Sequence, residues 1–276
     1  MSFYDTEKEL LIIIPAYNEE KNIGAVLDGL QNLSVTDIAE ILVIDDASRD
    51  NTAAVARGKG VAVITQLCHM GYGSALQLGY QYAVRKDFSY VIQLDADGQH
   101  DVGNVMKIYE RLRTVDDNGD CPDLVLGSRF MQGAPAYPVS FAKKAAYAWF
   151  GGIIRLLAGK KIMDPTTGLQ GLGRRAFTYY AGTGHFDDKY PDANVLLQML
   201  MLGYRVEEMP ALMHQRTEGT SMHWGLGPLA YMLRMTFSVA AVWLRIRWIR
   251  PDSGKRCAAE ETSMPDAEDL NDHVVS

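Results

Sequence analysis

Five short apolar runs punctuate the first half of the chain, at 10–14, 41–44, 61–64, 90–94 and 124–126. The first, Leu10-Leu11-Ile12-Ile13-Ile14, carries no polar position and ends at Pro15. A run without alternation is the signature of a parallel strand buried on both faces. Between the runs the period becomes helical. In 19–30, Ile23, Val26, Leu27 and Leu30 share one face. Asp50-Asn51-Thr52 reads as a helix start, and 74–84 and 102–112 continue the series. Strand and helix in alternation predict βαβ units, hence an α/β domain with a mostly parallel central sheet and helices on both faces. The second half is less regular. Residues 140–158 and 228–249 read as apolar-basic helices, 164–173 as a Gly/Thr-rich loop, and 194–202 as an apolar helix ended by Gly203. The polar, acidic stretch 252–276 is expected to be disordered.

Four polar clusters follow predicted strands: Pro15-Ala16-Tyr17-Asn18-Glu19, Asp45-Asp46-Ala47-Ser48, Asp95-Ala96-Asp97-Gly98-Gln99-His100 and Gly127-Ser128-Arg129-Phe130. Each alone is equally a turn. Together they fall on the carboxyl edge of one sheet, where open α/β folds bind ligands. Asp95 and Asp97 are the sharpest pair. Neighbouring carboxylates repel unless a cation intervenes, and a hard ion such as Mg²⁺ or Mn²⁺ suits their oxygens and that of Gln99. Such an ion could also take diphosphate oxygens and neutralise a departing nucleotide diphosphate.

The order PAYNEE, IDDASRDNT, GYGSALQLG, LDADGQHD, GSRF resembles the family 2 glycosyltransferases, which share the GT-A fold, over roughly 9–224. It is most similar to the branch of dolichyl-phosphate mannose synthase and bacterial polyprenyl-phosphate sugar transferases. The resemblance implies an inverting transferase using a UDP- or GDP-linked sugar donor and a polyprenyl-phosphate acceptor. It puts Pro15, Ala16, Tyr17 and Glu19 around the nucleoside and Asp46 on base or ribose. Asp95, Asp97 and Gln99 would hold metal and diphosphate. Arg129 would lie near a phosphate, although a pairing with a carboxylate is open. The segment with Asp164, Thr166 and Thr167 resembles the acceptor-side D-x-T-S-G-F-R loop, with Thr167 for Ser and Gln170 for the expected Arg. Arg216, with Gly219 and Ser221, resembles a segment that closes over the donor. Asp192 matches a position where relatives carry an acid. It reads either as general base for a hydroxyl acceptor or as N-cap of the following helix. A phosphate acceptor needs no base. Gly71-Tyr72-Gly73 reads as a tight turn, and many relatives have Asn where His69 stands.

Charge refines the picture. Of a net −7, most comes from 252–276, which holds seven acidic residues against Lys255 and Arg256. The body is near neutral, with no basic stripe for nucleic acid. Three scattered cysteines give no disulfide framework and suit a cytosolic setting. The first ten residues lack the apolar core of a signal peptide. The uncharged stretch 235–244 spans about 15 Å as helix, half a bilayer core. With Arg234, Arg245, Arg247, Arg250, Trp243 and Trp248 nearby, it suits peripheral contact with the inner face of the cell membrane; core packing or a homodimer interface are the alternatives. Three regions are expected: a catalytic domain 1–224, an amphipathic helix 225–251 and an acidic tail 252–276. Competing functions are transfer to a glycan hydroxyl with Asp192 as base and a non-catalytic nucleotide-sugar binding module. A nucleotidyltransferase would need a glycine-rich, Arg-containing loop near the N-terminus. A haloacid-dehalogenase-type phosphatase would carry its DxD on the first strand.

Overall fold

The structure is a computed structural model and describes residues 8–33, 35–117, 119–135, 141–214 and 227–249. The first half alternates as expected: β1 (Leu10–Ala16), α1 (Ile23–Asn32), β2 (Ala39–Asp45), α2 (Thr52–Gly58), β3 (Ala62–Thr65), α3 (Tyr72–Arg85), β4 (Tyr90–Gln93), α4 (Asn104–Arg113) and β5 (Leu124–Ser128). The second half follows with α5 (Phe141–Ala158), β6 (Gln170–Gly173), α6 (Arg174–Ala181), α7 (Ala193–Met201), β7 (Val206–Pro210) and α8 (Gly227–Leu244), which ends in a π-helical turn, Arg245–Ile249. Among the described residues the seven strands form one sheet in the order β3-β2-β1-β4-β6-β5-β7. Only β6 runs antiparallel to its neighbours.

The side-chain period of two sorts the core. Leu11 and Ile13 of β1 face Leu76 and Tyr80 of α3, with Phe150, Phe177, Leu197 and Met235 completing that layer. Leu10, Ile12 and Ile14 face Leu27 and Leu30 of α1 and Ile108 and Leu112 of α4. All five β1 side chains have no exposed surface, and each such burial contributes roughly 1.5–3 kcal/mol. This makes β1 the spine on which both helical layers rest.

Two expectations are corrected, and one strand has no counterpart in the sequence reading. Residues 170–173 are no loop but the antiparallel strand β6, between β4 and β5. Its sequence, Gln-Gly-Leu-Gly, carries little strand propensity. The glycine is required by packing, since a Cβ on Gly171 would run into Ile108 and Leu112 of α4. β7 is an edge strand whose Glu207, Glu208 and Pro210 hide it from a hydrophobic pattern and suit an edge. Helix α1 starts at Ile23 and not at residue 19, because Glu19 and Glu20 are spent on the neighbouring loop.

The second layer ends in α8, where Met235 and Val239 are buried. Leu233, Phe237 and Trp248 on this helix and its terminal turn are exposed, as are Trp149 and Leu156 of α5. Trp149 Nε1 donates to Thr236 Oγ1 at 3.3 Å, joining the two helices. No described helix is long and apolar enough to cross a membrane. Arg245 turns toward the protein, donating to Gln198 Oε1 at 2.5 Å and to the Gly184 carbonyl at 3.2 Å. Arg234 lies 4.7 Å over the Tyr190 ring. Of the basic residues expected at a membrane surface, these two are engaged by the protein. Arg250 and the stretch 252–276 lie outside the described residues.

Candidate active site

Parallel strands deliver their carboxyl ends to one edge, and β6, running the other way, delivers its beginning there. The expected clusters after β1, β2, β4 and β5 therefore share that edge with the 164–169 segment that enters β6, and those after β4 and β5 touch it. The first two clusters are zippered together. Asn18 N donates to Ser48 Oγ (2.9 Å), Glu19 N to Thr52 Oγ1 (2.8 Å) and Glu20 N to Asp50 Oδ2 (3.1 Å). Arg49 N returns a bond to Asn18 Oδ1 at 2.8 Å, and Asp46 N donates to the Ala16 carbonyl at 2.9 Å. Pro15 and Ala16 end buried inside β1, so only their backbone can line a ligand; Tyr17 is the first exposed side chain. Glu19 Oε2 accepts from Asn22 Nδ2 at 2.7 Å. The carboxylate of Asp46 is buried and accepts Met70 N (2.7 Å) and Gly71 N (2.8 Å), tying down the entry to α3. His69 Nδ1 also reaches it, at 2.8 Å, while stacking on Tyr17.

Tyr72, at the start of α3, donates its hydroxyl to Asp95 Oδ1 at 2.9 Å, and His100 Nε2 stands 3.1 Å from Oδ2. Burial would lift the Asp95 carboxyl. The His100 hydrogen bond and charge, the Tyr72 hydroxyl and the Arg129 charge outweigh it and hold Asp95 below the usual range. Tyr72 moves the other way: burial first, then Asp95 and Asp192, raise it far above the usual phenol range and keep it a donor. A Cβ on Gly168 would collide with the Asp95 carboxylate, so the β6 entry loop packs directly on this residue. Gln93 secures it, donating to the Gly168 carbonyl at 3.0 Å and accepting from Tyr80. Asp97 Oδ1 accepts Gln99 N at 3.0 Å across Gly98, whose φ is +73°. Gln99 in turn accepts His214 N at 2.7 Å, and His214 Nε2 meets Asp101 Oδ2 at 2.9 Å. Arg216, Gly219 and Ser221 lie just beyond, outside the described residues.

Arg129 and Asp164 are brought together as a bidentate pair, Nε–Oδ2 2.6 Å and Nη2–Oδ1 2.5 Å, with Arg129 N also donating to Oδ2 at 3.1 Å. The Asp164 side chain has no exposed surface and that of Arg129 little (13%), so Asp164 acts by holding Arg129. The guanidinium lies 3.5 Å from Thr166 Oγ1 and 5.2 Å from the Tyr147 ring. Thr167 is buried and donates to the Gly127 carbonyl at 2.7 Å, a fastening within the loop.

Asp192 occupies the N-cap position of α7 without making a side-chain capping bond. Its Oδ2 accepts the Tyr231 hydroxyl from α8 at 2.6 Å. Burial pushes its carboxyl up to about 6; the Tyr231 hydrogen bond and Arg129 oppose the rise, and the Asp95 and Asp187 charges add to it. Asp95, Arg129, Asp192 and Tyr72 thus sense one another's charge. The sequence did not single out Tyr72 or His100 for this role. The signals were there, a Tyr inside a glycine pair at a helix start and a His closing the DADGQH run.

Among the described residues no group of three or more His, Cys, Asp and Glu is placed to hold a metal ion. In kind, two carboxylates and the Gln99 amide oxygen do fit a hard divalent cation, and an Asp95 held ionised is the form such an ion binds.

The Glycosyl transferase family 2 model matches residues 11–177. An undecaprenyl-phosphate mannosyltransferase of Micrococcus luteus is 27% identical over 86% of this chain and 97% of its own. An uncharacterized protein of Methanocaldococcus jannaschii is 31% identical over 73% of this chain and 80% of its own. Among solved structures, glucosyl-3-phosphoglycerate synthase from Mycobacterium tuberculosis, in complex with Mn²⁺, UDP and phosphoglyceric acid, superposes with a TM-score of 0.65. It shares 20% identity and covers 90% of this chain and 81% of that one, a likeness of fold.

Proposed function

Since the chain belongs to glycosyl transferase family 2 and is a glycosyltransferase, we propose that it moves a sugar from a UDP- or GDP-linked donor to a polyprenyl phosphate with inversion. The observation that carries this is the meeting of Asp95, Arg129, Tyr72 and Asp192 on one sheet edge beside the nucleoside-side loops. Named relatives add the acceptor class: the Micrococcus luteus protein is an undecaprenyl-phosphate mannosyltransferase and one from Mycolicibacterium smegmatis a polyprenol monophosphomannose synthase.

In this reading Tyr17 and Asp46 hold the nucleoside, with Pro15, Ala16 and Glu19 shaping the backbone around it. Asp95, Asp97 and Gln99 would hold Mg²⁺ or Mn²⁺, which supplies charge neutralisation for the departing diphosphate. Tyr72 and His100 keep the Asp95 carboxylate oriented and ionised. Arg129, fixed by Asp164 and beside Thr166, offers positive charge to a phosphate. The exposed Trp149, Leu156, Phe237 and Trp248 support peripheral contact of α5 and α8 with a membrane carrying a lipid acceptor.

One observation favours a second reading, transfer to a hydroxyl. A carboxyl raised to about 6 is tuned toward general-base work, and Asp192 is not spent on capping. Asp192→Asn separates the two. With a phosphate acceptor, already ionised, transfer falls less than ~10-fold; with a hydroxyl acceptor that relies on this base, it falls ~100-fold or more. A donor panel of UDP- and GDP-sugars with Mn²⁺, read by thermal shift, tests the donor half. No stabilisation by any of them would refute it.

A further inference from the structure

The two groups proposed above for the nucleoside, the Tyr17 ring and the Asp46 carboxylate, are both engaged by His69. Its imidazole lies on Tyr17 with ring centroids 4.1 Å apart and planes 27° from parallel. Its Nδ1 stands 2.8 Å from Asp46 Oδ2 and is the donor of that contact. A flat ring on an exposed tyrosine, with an in-plane N–H aimed at a buried carboxylate, is how a nucleobase held by these same groups would present itself.

We infer that the His69 imidazole stands in for the donor's base and must leave for the donor to bind, so that residue 69 sets donor affinity. The inference rests on the nucleotide-sugar reading above. A sandwich with the base between the two rings is excluded at the present spacing. It needs about 7 Å between rings, two contacts of about 3.5 Å, against the 4.1 Å observed. Departure is easy, because the His69 side chain is 53% exposed. The backbone need not follow, because Met70 N and Gly71 N keep Asp46 bound to the loop independently of the imidazole. The stand-in also specifies the bases that can replace it. Uracil N3–H and guanine N1–H offer an in-plane ring donor; adenine N1 and cytosine N3 turn a lone pair toward the carboxylate.

Calorimetric titration of UDP, GDP, ADP and CDP, each with Mn²⁺, into wild type, His69→Ala, His69→Asn and Tyr17→Ala tests this. The metal and diphosphate contribution is common to all four nucleotides, so differences between them report the base. His69→Ala is expected to bind UDP, GDP or both about ten-fold more tightly than wild type, with no gain for ADP or CDP. His69→Asn, which keeps an N–H for Asp46 but no ring, should fall between. Tyr17→Ala should bind UDP, GDP or both more weakly and leave ADP and CDP unchanged. Equal or weaker UDP and GDP binding by His69→Ala, while wild type binds, would overturn the stand-in alone. A gain equal for all four bases would do the same, marking a loosened loop. No nucleotide binding by any of the four proteins would sink the donor reading and this inference with it.

Discussion

Replacing Asp192 by Asn separates a carboxylate under electrostatic tension from a merely structural one. The folded protein raises this carboxyl from 3.8 to about 6, chiefly by burial. The gap of roughly two units corresponds to about 3 kcal/mol at about 1.4 kcal/mol per unit. Asp192 keeps some exposure, and solvent screening trims the figure to about 2 kcal/mol. Because the folded pKa is the higher one, the native state holds the proton more tightly than the unfolded chain between about pH 4 and pH 6. Wild-type stability is therefore intact below that window and declines as pH rises through it. Asn carries no charge, can still accept the Tyr231 hydroxyl, and is as good as Asp at an N-cap. Urea unfolding should show Asp192→Asn about 2 kcal/mol more stable than wild type at pH 7.5 and equal to it near pH 4. A variant no more stable at pH 7.5, or a difference that does not change with pH, would refute the reasoning.

Other substitutions probe the remaining parts. Asp97→Ala should abolish transfer while leaving the melting temperature within about 2 °C of wild type; transfer at the wild-type rate in metal-replete buffer contradicts the metal role. Tyr72→Phe removes a hydrogen bond to a carboxylate, worth about 1.5–3 kcal/mol. Mn²⁺ titration should show at least ~10-fold weaker binding, and unchanged affinity would free Asp95 from dependence on Tyr72. Arg129→Ala strands the buried Asp164 and should destabilise by about 3–5 kcal/mol in urea unfolding. Adding Asp164→Ala should recover part of that loss, and additive losses would mean that the pair is not coupled. Co-sedimentation with phosphatidylglycerol vesicles should fall when Phe237 and Trp248 are both changed to Ser. Equal pelleting would assign the exposed face of α8 to something other than lipid.

The βαβ half of the fold is legible in the sequence because β1, β2 and β4 and helices α1, α3 and α4 bury continuous faces, and burial writes itself as periodicity. β6 is not legible, since two of its four residues are glycines, one of which, Gly171, lies against α4. β7 is not either, since an edge strand tolerates Glu207 and Glu208. The site follows the same division. Motifs that follow strands announce Tyr17, Asp46, Asp95, Asp97 and Arg129, because strand ends fix where they arrive. What each side chain does there depends on partners far along the chain. Arg129 meets Asp164 across 35 positions, Tyr72 meets Asp95 across 23, and Tyr231 meets Asp192 across 39. No local pattern encodes such pairings. The N-cap position of Asp192 is visible in the sequence; the turning of its carboxylate from the helix to Tyr231 is not.

The central claim is metal-assisted sugar transfer from a nucleotide diphosphate to a polyprenyl phosphate. The direct measurement incubates the purified full chain with labelled UDP- or GDP-sugar, Mn²⁺ and undecaprenyl phosphate in detergent, and follows label into the organic phase. The account predicts a lipid-linked product from at least one donor, lost with EDTA, restored by Mg²⁺ or Mn²⁺, and absent for Asp97→Ala. Organic-phase label undiminished in EDTA, or none from any donor while a hydroxyl acceptor is glycosylated, would contradict it.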